Sequence, residues 1–298
     1  MTRIVPRLTP RTVYLGFTLM FVLLLAAGFF PPARHPDLGP RAWVSVVRAV
    51  TGYGIALVLC LSVAAEHRPD SWFRAAWLAF AINAAASIVR HASDTPLWNL
   101  IWPGYSHGVA IALIRQIAIV IGLGALLAGV FAMVRAFHRA GIGLTPRRSD
   151  IAAIAGVFAL LATIFYFREG LAEAHSPSMA ARYLQQLGLI LLAAGAACSI
   201  LVYRLAHEMR GGRLGLTMLC IVIYTVLRCV LVCVLLFPSL RNAARPLTIL
   251  LEFAVPWLFA LAASYRSGIA VHGAAQIPRS SPVSPYIEQT FRTATRIY

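Results

Sequence analysis

Apolar residues recur along this chain in long unbroken runs, and short polar stretches between them hold most of the arginines. The runs fall near 13–30, 43–65, 72–89, 109–134, 151–167, 183–203, 214–236 and 246–264. Each is roughly 20 residues, the length at which an α-helix crosses the ~30 Å hydrocarbon core of a bilayer. In that medium a helix satisfies its own backbone hydrogen bonds, whereas an open strand or loop does not. The pattern therefore predicts an all-α polytopic bundle of eight spans over 13–265. A basic cytoplasmic amino terminus (1–12) precedes it and a cytoplasmic tail (266–298) follows. The links are too short for a soluble domain.

The first run admits a second reading. "MTRIVPRLTPR" followed by "VYLGFTLMFVLLLAAG" has the basic start and apolar middle of a signal peptide. The run is long for that role, and no small-x-small site precedes "FFPPARHP". We read it as a retained span; cleavage would leave seven.

Composition agrees with a membrane protein. The 298 residues are 60% hydrophobic and only 12% charged, too little charge to cover a soluble fold of this length. The formal net charge of +16 would suggest nucleic acid in a soluble protein. Here it sits between apolar runs, which points to topology and anionic headgroups and away from nucleic acid. Every basic side chain of the Lys+Arg class is arginine, so a retinal Schiff-base pigment is excluded. Sixteen arginines fall on the side of both termini and seven on the other, which predicts both termini in the cytoplasm of a plasma-membrane protein. The five cysteines all lie inside apolar runs, where they read as small buried residues and not as a disulfide or zinc framework.

Four ionisable residues interrupt the runs: Arg48, Arg115, Arg228 and Glu252. A charge at mid-membrane costs about 2.5–3.5 kcal/mol on insertion scales, so each needs a partner or a water path. Counted from the outer ends of their runs, all four lie roughly 7–12 Å deep at 1.5 Å per residue. Ala118, Gly122, Ala125 and Gly129 follow Arg115 at helical spacing, and such small-residue stripes favour close helix contact. Ser45, Gly52 and Ala56 share the face of Arg48; Thr217, Tyr224 and Arg228 form one stripe. The expectation is that Glu252 pairs with Arg115 or Arg228. Pro256 cannot donate to the carbonyl of Glu252, which predicts a helix kink beside that carboxylate. Gln116, Gln185, Gln186 and Asn83 are further polar groups, read mainly as helix–helix hydrogen bonds.

Three arginines against one acid leave positive charge unmatched. The expected function is binding or translocation of a small anionic or amphiphilic ligand through an outer-leaflet pocket of Arg115, Arg228, Arg48, Tyr224, Gln116 and Glu252. The alternative is a sensor or assembly subunit whose charges are structural, with a membrane or cytoplasmic protein partner. No metal or other cofactor is expected. "GYSHG" (Gly104 to Gly108) matches the G-x-S-x-G serine-nucleophile pattern but lacks the strand–turn–helix that pattern requires. With His91 and His107 it is the sole basis for a membrane-enzyme reading. Ser284 and Pro285 begin a stretch in which Ile287, Phe291, Ala294 and Tyr298 share a face, an amphipathic helix over 285–298.

Parts of the last two runs, "VIYTVLRCVLV", "ILLEF" and the later "VHG", resemble the fungal lipid-translocating exporter family. Leu231 stands where that family usually has an acidic residue, and its later tyrosine–aspartate pair is missing. No residue role is carried over.

Overall fold

The computed structural model describes residues 9–28, 40–93, 109–139, 147–171, 179–208, 213–236 and 245–267. Among them are eight α-helices and no strand: α1 (Pro10–Gly28), α2 (Pro40–Ala65), α3 (Trp72–Ser93), α4 (Val109–Arg139), α5 (Arg148–Leu171), α6 (Met179–Glu208), α7 (Arg213–Leu236) and α8 (Arg245–Ser267). Each apolar run has become one helix. Several helices extend beyond their run, α4 by five residues at its end, because backbone hydrogen bonding continues past the apolar zone. Four segments are long and apolar enough to cross a membrane: Trp72–Ser93, Val109–Arg139, Met179–His207 and Gly215–Val234. The apolar segments Pro10–Leu23 and Val50–Ala65 are shorter.

Local sequence explains several helix starts. The Thr9 side chain accepts from the Thr12 amide at 3.3 Å, and Pro10 takes the first turn of α1, where its missing N–H costs nothing. Ser71 caps α3 through the Phe73 amide at 3.2 Å. Asp150 in the first turn of α5 accepts from the Arg147 amide at 2.7 Å, while the Asp150 amide donates to the Arg147 carbonyl at 2.9 Å. This side-chain half of a capping box is reinforced by an ion pair from Arg204 on α6.

Six helices pack side to side in the cyclic order α2, α3, α4, α6, α7, α8 and back to α2. Outside this ring, α1 rests on α8 and α2, and α5 rests on α6. Glycines permit close approach at two contacts in the ring. A Cβ on Gly129 of α4 would come within 2.4 Å of the Phe80 ring and 3.2 Å of the Ala76 carbonyl on α3. One on Gly52 of α2 would come within 2.7 Å of Pro256 on α8. The stripe read along α4 therefore does face protein: Ala118, Gly122 and Gly129 are buried and Ala125 partly so.

An aromatic chain crosses the ring interior. Trp77 meets Phe80 edge-on at 5.5 Å, Phe80 meets Phe259 edge-on at 5.6 Å, and Phe259 stacks on Tyr224 at 4.7 Å. It joins α3, α8 and α7 through four fully buried rings. α1 docks through Phe17 edge-on to Trp257, through Val13, which is buried, and through the Tyr14 and Tyr265 hydroxyls at 3.1 Å.

Candidate functional site

Buried hydroxyls mostly turn back on their own helices. Ser87, Ser199, Thr225 and Ser264 each donate to a carbonyl three or four residues earlier. Asn83 of α3 instead crosses to α7. Its Nδ2 donates to the Tyr224 hydroxyl at 2.9 Å, and its Oδ1 accepts from Arg228 Nη1 at 2.9 Å. The same Nη1 donates to the Tyr224 hydroxyl at 2.6 Å. Asn83 and Tyr224 are fully buried, and Arg228 is 4% exposed.

The direction of the arginine follows from helix geometry. Side chains on a helix lean toward its N-terminus, so Arg228 reaches back one turn onto Tyr224, where its guanidinium lies 5.9 Å from the ring centre. It points to the bundle interior and not toward the nearer helix end. Gly122 gives α4 room beside this triad: a Cβ there would sit 3.5 Å from Asn83 Oδ1 and 3.2 Å from Ala86 Cβ.

Tyr53 of α2 enters the same centre. It lies within electrostatic reach of Tyr224, Arg228 and Arg90. Its ring also stacks on His91 at 5.7 Å. Arg90 and His91 lie in the last turn of α3, with side chains partly exposed. A polar column thus runs from the C-terminal end of α3, through Tyr53, to Tyr224, Asn83 and Arg228. Three helices build it, and α8 backs it with Phe259.

The residues singled out from sequence divide as follows. Arg228 and Tyr224 meet, and Asn83 forms the helix–helix hydrogen bonds expected of it. The described partners of Arg228 are neutral oxygens. Arg115 and Gln116 are partly buried on α4, which packs mainly on α3 and α6, and neither is among the groups bonded to Arg228. The Arg48 and Glu252 side chains lie outside the described residues, so the expected pairing of Glu252 does too. Pro256 sits inside α8, which continues through it, and is packed against Gly52. "GYSHG", His107 and the 285–298 helix also lie outside the described residues. Gln185 is partly buried and Gln186 exposed on α6.

Tyr53 and the column to His91 were not anticipated. The available signal was Tyr53 beside Gly52, five residues after Arg48, in a mainly apolar run. The Asp150–Arg204 pair was also missed, although an acid three residues after Arg147 at a helix start is a capping pattern. All five cysteines are free thiols. Among the described residues, no group of three or more His, Cys, Asp or Glu is placed to hold a metal ion. Compared with known protein families, curated proteins and solved structures, the chain matches none.

Proposed function

We propose that this chain is an eight-span integral membrane protein with both termini cytoplasmic, and that its bundle centre binds a small anionic or amphiphilic molecule entering from the outer leaflet. The apolar helices support a membrane location, and the arginine bias supports the orientation. The docking of α1 on Trp257 supports a retained first span.

One observation carries the ligand reading. Arg228 is a buried cation whose described hydrogen bonds go to neutral oxygens through a single nitrogen. Guanidinium has five N–H donors in a planar fork suited to carboxylate or phosphate. In this reading the positive charge is completed by the anion. Asn83 and Tyr224 hold the fork in place, and Arg90 at the outer end draws anions toward Tyr53. Arg115, Arg48, Gln116 and Glu252 border the same outer half. A protonatable Glu252 would compete with the ligand for the arginines.

The test uses purified protein in neutral detergent, probed by thermal shift with octanoate, octyl phosphate, octanol and octylamine. The anionic pair should stabilise the wild type, and the neutral and cationic compounds should not. Arg228→Gln should abolish the shift while keeping helical content. Equal stabilisation of that variant would reject the site.

A second reading also has an observation behind it. Asn83, Tyr224 and Arg228 tie two helices that face each other across the ring, which suits a register-fixing element in a sensor or assembly subunit. In that case no anion shifts the melting temperature, and partner capture depends on the cytoplasmic loops or the tail.

A further inference from the structure

A second basic feature lies at the opposite end of α3 from His91. Trp72 opens α3, and two guanidiniums from the last turns of α4 sit over its indole. Arg135 is 4.9 Å and Arg139 5.3 Å from the ring centre. Both arginines are exposed, Trp72 is partly so, and no ion pair to either arginine occurs among the described residues. Cation–π contact orients the cations without neutralising them, so both charges remain available to an anion.

What continues from the pair identifies the anion's other half. At 100° per residue, Ile117, Ile121, Ala128, Phe131, Arg135 and Arg139 fall within roughly 80° of arc on α4. Along that arc the side chains are exposed, Phe131 at 60%, Ile121 at 51% and Ile117 at 45%. Phe131 is one turn from Arg135, and Phe131 to Ile121 spans about 15 Å, half the ~30 Å hydrocarbon core. Trp at a helix end is the usual interfacial anchor. The surface is therefore a two-arginine head site joined to an apolar track one leaflet long.

We propose that Arg135, Arg139 and Trp72 bind the phosphate of an anionic phospholipid, whose acyl chain lies along the α4 track. The site rests on the membrane reading above but is independent of Arg228. Basic clusters beside membrane helices hold anionic headgroups by charge, and the aromatic ring fixes where that charge sits. A free phosphate has no use for the apolar track, whereas a diacyl lipid fills both parts.

Native mass spectrometry of the full chain, delipidated and titrated with phosphatidylglycerol or phosphatidylcholine, tests this. The wild type should hold a first phosphatidylglycerol that phosphatidylcholine does not replace. Arg135→Gln with Arg139→Gln should weaken it about 30-fold, the increment expected for two arginines near an anionic surface. Arg139→Gln alone, at an exposed position, should give a partial loss and covers the case in which the double variant fails to fold. Arg147→Gln, also exposed, and Arg228→Gln should leave the adduct in place. The proposal is overturned by equal binding to wild type and both α4 variants. It also fails if Arg147→Gln costs as much, showing a diffuse surface charge, or if inorganic phosphate displaces the lipid.

Discussion

Replacing Asn83 with leucine, which has the same number of side-chain heavy atoms, asks what holds α3 to α7. The change removes the acceptor of Arg228 and the donor to Tyr224 at fixed size, in a place where both residues are buried. Hydrogen bonds to charged groups are worth about 1.5–3 kcal/mol, and interhelical side-chain bonds in membranes average about 0.6 kcal/mol. Asn83→Leu should therefore cost about 2–3.5 kcal/mol. Arg228→Met should cost about 1 kcal/mol or less, because it removes the buried charge itself and leaves the Asn83–Tyr224 bond intact. The double variant should recover part of the Asn83→Leu loss, with a coupling energy of about 1–2 kcal/mol. The assay is reversible unfolding in mixed micelles followed by helical circular dichroism. If Arg228→Met proved more damaging than Asn83→Leu, or the two effects simply added, Asn83 would not be the arginine's anchor.

Gly129→Val should lower stability by about 1–3 kcal/mol or more by forcing Phe80 aside, whereas Gly54→Ala, with open space around its Cβ, should be neutral or gain up to about 1 kcal/mol of helix propensity; thermal melts compare them. His67, in the turn between α2 and α3, is buried and stacks on Phe73, and burial followed by the charge of Arg266 lowers its pKa from 6.5 to about 4. Between those values the unfolded chain takes up a proton that the folded chain refuses. Stability should then fall on acidification, by at most about 1.4 kcal/mol per pH unit, and His67→Gln should flatten the profile. Asp150→Asn should cost about 1–2 kcal/mol by loosening the α5 cap and the Arg204 pair, seen as faster hydrogen exchange in the first turn of α5.

The helices could be read from sequence because each apolar run is long enough for one continuous helix, and the eight apolar runs match the eight helices among the described residues. The faces could be read too: Thr217, Tyr224 and Arg228 share a stripe, and all three are buried. The hydrogen bond between Arg228 and Asn83 was harder to see. Depth counted at Cα places Arg228 above Tyr224. The arginine side chain is a full helical turn long and leans back toward its own N-terminus, so its charge lies near Asn83. A periodic pattern reports which way a residue faces, not which helix it meets. Neighbours around the ring depend on packing between distant segments, as with Gly52 on Pro256. Trp72 under Arg135 and Arg139 is likewise a meeting of two helix ends that no local pattern encodes.

Ring closure has a consequence for how the protein is made. α2 is among the first helices a ribosome would deliver, and its neighbour α8 is the last of those described. Until α8 arrives, Gly52 has no Pro256 against it and Phe80 and Tyr224 have no Phe259 between them. A chain halted before Arg245 would leave the seam between α2 and α7 open, so among the described helices α8 is the one that closes the ring.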